Sequence, residues 1–148
     1  MEVWEELKPI KLLYETYTRP IREKYELTQM EFNILLFLHN NKGHDTAAEI
    51  VKMRKLSKSQ VSSAVKFLLE RGFLECTYTE DNHKKIHLIL SERSSAVITE
   101  GIAAQLHHRD AILRDFSEEE KRVFTDMFHR ISENAKQELN TPVRLNIS

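Results

Sequence analysis

The chain has 148 residues, 41% of them hydrophobic and 30% charged, with a net charge of −1. That balance suits one globular domain, or a domain sharing its core with a partner, and excludes a disordered chain or a globally basic one. No apolar run approaches the roughly 20 residues of a membrane span, and Met1 to Pro20 mixes Glu, Lys and Arg through its apolar residues, unlike a signal peptide.

Trp4 to about Tyr25 is helical in pattern, with Trp4, Leu7, Tyr14 and Tyr17 among its periodic residues. Pro9 and Pro20 predict that this helix starts near Leu7, or is kinked or broken. Thr28-Gln-Met-Glu31 is a capping box. It precedes Phe32 and the run Ile34 to Leu38, apolar on most sides, as in a helix buried at the middle of a domain. Asn40 to Gly43 ends it. Thr46-Ala-Ala-Glu49 is a second box and opens a short helix through Ile50 and Val51. A link from Arg54 to Leu56 leads to a third box, Ser57 with Gln60.

Ser57 to Glu70 predicts a helix with two unlike faces. Val61, Ala64, Val65, Leu68 and Leu69 form an apolar stripe at i, i+3, i+4, i+7, i+8. The other face carries Ser59, Ser62, Ser63 and Lys66, flanked by Lys58 and Gln60. It has no acid before Glu70. Solvated helix faces ordinarily use Glu and Lys. Short hydroxyl side chains with a few cations let a helix approach a polyanion closely. Charge is also uneven along the chain. Lys52, Arg54, Lys55, Lys58 and Lys66 fall in one stretch without an acid, whereas acids outnumber bases from Ser91 onward. A local basic patch on a neutral protein suffices for phosphate contacts.

Gly72 stops this helix as its C′ residue. Phe73 to Thr79 reads as a strand, Glu80 to Lys84 as a polar turn and Lys85 to Leu90 as the returning strand. Ser91 opens a long helix that Phe116 closes, with Gly101 interrupting its apolar content. Ser117-Glu-Glu-Glu120 is a fourth box, ahead of a last helix with Val123, Phe124, Met127, Phe128, Ile131, Ala135 and Leu139. Thr141 to Ser148 is expected to be an extended tail, since Pro142 blocks continuation.

Two short helices, the second with a groove-compatible face, followed at once by a hairpin, form the winged helix-turn-helix pattern. The predicted fold is mainly α with a small β-hairpin wing: a winged helix-turn-helix core plus a helical dimerisation region. The divisions are 1–27 for an N-terminal helix, to which the resemblance described next gives a dimerisation role, 28–91 for the DNA-binding core, 92–140 for C-terminal dimerisation helices and 141–148 for the tail. No glycine-rich phosphate loop, elbow-type serine or paired acid motif is present, so no enzyme is expected.

The sequence LTQMEFNILLFL, then TAAEIV, then LSKSQVSSAVKFLLERGFLE, the hairpin and LSER resembles the MarR family of winged-helix transcription regulators, from about Leu27 to Phe128. The resemblance implies an obligate homodimer packed through the outer helices, Trp4 to Tyr25 and Ser91 to Leu139. It implies double-stranded DNA as partner, a pseudo-palindromic operator and repression as the commoner mode. A small-molecule effector of unknown identity, acting to release DNA, goes with it. Within it Ser59, Gln60, Ser62, Ser63 and Lys66 face base edges and phosphates, joined by Lys58, with Gln60 suited to adenine if the cap does not engage it. Thr46 and Ser57 sit at helix N-termini whose free N–H groups suit phosphate, although capping is their commoner role. The family's wings often carry Asp-Arg-Arg near the tip. This chain has Asn82, His83 and Lys84 there, so His83, Lys84 and Lys85 are the wing candidates, without the planar fork of arginine.

The one cysteine, Cys76, excludes an internal disulfide and fits a reducing cytoplasm. As a strand residue it is expected to be a small apolar filler and not a redox sensor. There are seven histidines, but no HExxH and no i, i+4 pair, and His107 and His108 diverge by ~100° around a helix. No metal ligands and no cofactor are assigned. Trp4, Tyr14, Tyr17 and Phe116 are candidates to line a ligand pocket, with core packing the commoner fate. The alternative readings are a winged-helix module that binds protein and a metal-responsive regulator of the same fold.

Overall fold

The computed structural model describes residues 2–54, 56–79 and 82–141; the side chains of Thr79, Asn82, His83 and Lys84 also fall outside it. Two compact units follow one another in the chain, Met1–Arg109 and Asp110–Ser148.

The first unit begins with α1 (Val3–Lys24), which runs unbroken through Pro9 and Pro20. The sequence predicts a later start, a kink or a break; of these the early start at Val3 and the unbroken helix overturn the first and the last. Each proline leaves one carbonyl four residues earlier without its N–H donor. Those carbonyls belong to Glu5 and Thr16, both exposed, so solvent replaces the missing donor.

The second helix, α2 (Gln29–Asn40), forms the centre of the core. Thr28 Oγ1 accepts from Glu31 N–H, and the Glu31 carboxylate accepts from Thr28 N–H, completing the expected box. Phe32 and Ile34 to Leu38 are all buried, because helices pack on more than one side of α2. The rest of the core comes from Ile50 of α3 (Ala47–Arg54), Val61, Val65 and Leu68 of α4 (Lys58–Glu70), Phe73, Leu74 and Leu88 of the hairpin, and Val97 and Ile98 of α5 (Ser95–Ile112).

Gly101 shows how closely α5 approaches α2. A Cβ at that position would sit 2.8 Å from Leu36 Cδ2 and 3.1 Å from Phe32 Cζ. A mid-helix glycine costs about 1 kcal/mol relative to alanine; here that cost accompanies direct packing of two helices. The preceding residue of α5 meets the end of α1: Lys24 Nζ lies 2.8 Å from Glu100 Oε1, and the Tyr25 hydroxyl donates to the same carboxylate. These two bonds hold the Glu100 carboxyl below its ordinary range.

The strands β1 (Leu74–Thr79) and β2 (Asn82–Leu90) pair antiparallel, with Leu74 opposite Leu90 and Cys76 opposite Leu88. A register shift at Tyr78/Thr79 brings Thr79 opposite Asn82. The backbone of Asn82, His83 and Lys84 is therefore strand, not the turn expected there. Cys76 corrects another expectation, since it is exposed. It shares a face with buried Leu74 and lies opposite buried Leu88, so the edge of the core runs across the hairpin there; Tyr78 and Ile86 beyond it are exposed too. Ser91 opens a short 3-10 turn (Glu92–Ser94) before α5, and its hydroxyl donates to Gly72 O at 2.5 Å.

The second unit holds α6 (Glu118–Asn140). Ser117 and Glu120 form the complete box, with Glu118, Glu119 and Glu120 at the positive end of the helix dipole. No residue of α6 is buried. Phe124, Met127, Phe128 and Ile131 recur at helical spacing and are all exposed. The tail expected beyond Thr141 lies outside the described residues. Among the described residues, no helix is long and apolar enough to cross a membrane.

Candidate nucleic-acid interface

The candidate interface comprises α3, the turn after it, α4 and the hairpin. Thr46 caps α3: its Oγ1 accepts from Glu49 N–H at 3.2 Å. The box is only half formed, because Glu49 Oε2 lies 3.1 Å from His44 Nδ1 instead. Thr46 is buried, so its hydroxyl caps and is not presented at the surface. The turn closes with Leu56 N–H donating to Val51 O at 3.3 Å.

Ser57 caps α4 in the same half-formed way. Its Oγ accepts from Gln60 N–H at 3.2 Å, and no bond returns from the Gln60 side chain among the described residues. Ser57 remains exposed, so capping leaves it open to solvent. The Gln60 carboxamide is free of the cap, which was the condition for its pairing with adenine. At the other end Gly72 N–H bonds Leu69 O at 3.1 Å and Phe73 N–H bonds Leu68 O at 2.9 Å. This is the Schellman arrangement, and Gly72 adopts the left-handed φ of +76° that it requires.

Capping at both ends and burial of Val61, Ala64, Val65 and Leu68 fix the rotation of α4 about its axis. Lys58, Ser59, Gln60, Ser62, Ser63 and Lys66 all emerge exposed. Ser59, Ser63 and Lys66 point most directly away from the buried stripe, by the 100° step of the helix. Lys52 and Arg54 of α3 are exposed as well, and so is Lys85 on β2. His83 and Lys84 have side chains outside the described residues, as does all of Lys55.

Contacts of Arg71, Arg93 and Asp45 that the sequence did not announce hold this surface in place. Arg71, just past α4, donates to Glu26 O at 2.6 Å and to Tyr25 O at 2.7 Å, which anchors α4 to the end of α1. Glu26 has a φ of +53° there. Arg71 also covers the Phe67 and Phe73 rings, and Arg93 covers Phe73 and donates to Arg71 O. On the wing side, Leu88 N–H donates to Asp45 O at 2.8 Å, and His87 Nδ1 lies 2.6 Å from Asp45 Oδ1. The hairpin is thus tied to the residue before Thr46, and its orientation is coupled to that of α3. The cap at Thr46 was visible in sequence; the pairing of Asp45 with His87, 42 residues away, was not.

The histidines of the long helix have structural neighbours. The His107 ring stacks on Tyr17 with centroids 4.4 Å apart, and His108 Nε2 lies 2.8 Å from Ile10 O beside Tyr14. Tyr14 and Tyr17 pack on α5, while Trp4 and Phe116 are exposed. Among the described residues, no group of three or more His, Cys, Asp or Glu side chains is placed to hold a metal ion.

Comparison with known proteins agrees with this geometry. The MarR family model matches residues 25–85, from the end of α1 into the wing. A transcriptional repressor of Bacillus subtilis, YetL, is 24% identical over 111 residues, covering 72% of this chain and 66% of its own length, just under two thirds. The transcriptional regulator PecS of Dickeya dadantii is 25% identical over 131 residues, covering 86% of this chain and 78% of its own. In structure, a MarR-family regulator from Listeria monocytogenes complexed with a 26mer DNA superposes with a TM-score of 0.79 at 17% identity, over 93% of this chain and 91% of that one. Proteins of this family are transcriptional regulators, not enzymes. A capped helix-turn-helix and a tethered wing lie where the match falls: residues 25–85 of the chain are similar to the MarR family of helix-turn-helix transcriptional regulators.

Proposed function

We propose that the chain works as a cytoplasmic homodimer that binds a pseudo-palindromic DNA operator through two copies of α4 and represses the genes beside it, until a small ligand releases it. The observation that carries this reading is the exposed face of α4, hydroxyl and cationic from Lys58 to Lys66 with no acid. In the groove, Ser59, Gln60 and Ser63 meet base edges, while Lys58, Lys66 and Lys85 meet phosphates. Gln60 pairs with adenine through its free carboxamide. Repression has the support of the Bacillus relative, a repressor. The exposed apolar row of α6 supports a second copy as its cover.

A winged-helix module that docks on protein would expose an apolar α4 face. Here Phe67 is the large apolar exception, and the Arg71 guanidinium covers its ring at 5.2 Å.

Fluorescence anisotropy on an operator fragment, titrated at several salt concentrations, tests the reading. Lys66→Ala is expected to weaken binding on all sequences alike and to reduce the slope of log K against log salt by about one unit. An unchanged slope removes Lys66 from the interface, and no DNA binding at low salt ends the proposal.

A further inference from the structure

The hairpin loses its support partway along. Leu74 and Leu88 are buried and Leu90 packs against the core, whereas Cys76, Tyr78 and Ile86 nearer the tip are exposed. Among the described residues, the hydrogen bonds from β2 to the rest of the unit run from His87 and Leu88 to Asp45. Leu88 N–H donates to Asp45 O at 2.8 Å, so Asp45 lies along the edge of β2 that β1 does not pair. His87 Nδ1 lies 2.6 Å from Asp45 Oδ1. Asp45 is itself fixed to α3. The residue after it, Thr46, caps that helix, and the residue before it, His44, pairs with Glu49 of the first turn. A carboxylate only accepts, so His87 Nδ1 carries the proton of this bond. His87 Nε2 is buried, with no partner among the described residues. A proton there would be a buried donor left unanswered.

We infer that His87 is a positioning residue for the wing: as its Nδ1–H tautomer it bonds Asp45, and that bond aims Lys85 relative to α3. Lys85 shares a face of β2 with His87, two residues or about 7 Å nearer the tip, and is exposed. No core lies under Ile86 to steady the strand there. The direction of β2 beyond His87 is therefore set at the Asp45 bond. With that bond intact, α3 and Lys85 present their groups in one fixed relation, and little ordering entropy is lost on docking. With it broken, Lys85 ranges over several positions and no single phosphate gains its charge. The aim of Lys85 rests on the DNA-binding reading above; the tautomer and the tether do not.

Three measurements on the full chain test this. Long-range proton–nitrogen NMR, at a pH where imidazole is neutral, reads the tautomer. His87 is expected to show a protonated Nδ1 and a bare Nε2; the Nε2–H tautomer overturns the proposal. Because this is read on the wild-type chain, it tests the bond even if a variant fails to fold. Hydrogen exchange at the Leu88 amide reads the tether. An asparagine amide places its N–H where Nδ1 stands, whereas a glutamine amide reaches the place of Nε2. His87→Gln is expected to speed exchange about tenfold, and His87→Asn by about threefold or less. Operator titrations across salt read the aim. His87→Gln is expected to lower the slope of log K against log salt by about one unit, as Lys85→Ala does, while His87→Asn keeps it. The double variant, His87→Gln with Lys85→Ala, should fall no further than either alone. Equal behaviour of the asparagine and glutamine variants, or an additive loss in the double variant, overturns the positioning role. A wild-type chain with the Nδ1–H tautomer and a protected Leu88 amide that binds no DNA keeps the tether and loses the regulatory reading.

Discussion

Ser63→Glu is expected to weaken operator binding at least about a hundredfold while leaving the fold intact. The position is exposed, on the side of α4 directly away from its buried stripe. A glutamate is as good a helix former as the helix needs there, so thermal unfolding should be unchanged. Against DNA the new carboxylate meets base-edge acceptors and phosphates at short range, and like-charge contact in an interface costs several kcal/mol. A hundredfold loss corresponds to ~2.7 kcal/mol, well within that. Ser63→Ala serves as the control. It removes at most one hydrogen bond and adds no charge, so a loss of tenfold or less is expected from it. Anisotropy on the same operator at fixed salt reads both. Equal affinities for the glutamate and alanine variants would place Ser63 outside the groove.

The second large effect concerns assembly. Phe128→Asp combined with Ile131→Asp is expected to convert the protein from a dimer, twice 17.5 kDa, to a 17.5 kDa monomer at about 10 μM in sedimentation equilibrium. Phe124, Met127, Phe128 and Ile131 lie at i, i+3, i+4, i+7 and are all exposed, from 49% to 62%. The Phe124 and Phe128 rings are 5.7 Å apart. Burying such side chains against a second copy stabilises by about 1.5–3 kcal/mol each. Two buried aspartates reverse that and add the cost of desolvating charge. The charged flank of α6 is left untouched, including the ion pairs Arg122–Glu119 and Lys136–Glu133, so helix formation itself should persist. A variant that remains dimeric would assign the apolar row of α6 to some other partner. Operator affinity should fall with the dimer, since two half-sites read together bind far more tightly than one.

These expectations also show which parts of the molecule were legible before any coordinates. The helices α2, α4 and α6 announce themselves through local chemistry. Thr28, Ser57 and Ser117 bond N–H groups three residues on, and the apolar stripes repeat at helical spacing. The reading face of α4 follows from the same stripe, because burying Val61, Ala64 and Leu68 leaves no other side for Ser59, Ser63 and Lys66. Contacts between distant residues were not legible. Nothing local to Arg71 points to the carbonyls of Tyr25 and Glu26, and nothing local to His87 points to Asp45. Gly101 looked like an interruption of a helix; its meaning is Leu36 and Phe32 on a neighbouring one. Cys76 misled for a related reason. Strand alternation gives the face a side chain shares, and only the extent of the core beneath decides where that face becomes solvent-exposed. The prolines of α1 misled in the opposite sense. The helix continues through both, and the carbonyls they free belong to the exposed residues Glu5 and Thr16, so the ring clash remains but no buried acceptor is left unpaired.

The central claim is that two α4 helices read one operator together. Selection of bound DNA from random sequence by the full chain tests it most directly. The expected result is a pair of half-sites related by two-fold symmetry, their centres about one helical turn apart, ~34 Å or 10–10.5 base pairs. Adenine is expected at the position Gln60 reads, and Gln60→Ala should relax selection at that position alone. Enrichment of a single unpaired half-site, or no enrichment above the starting pool, would contradict the account.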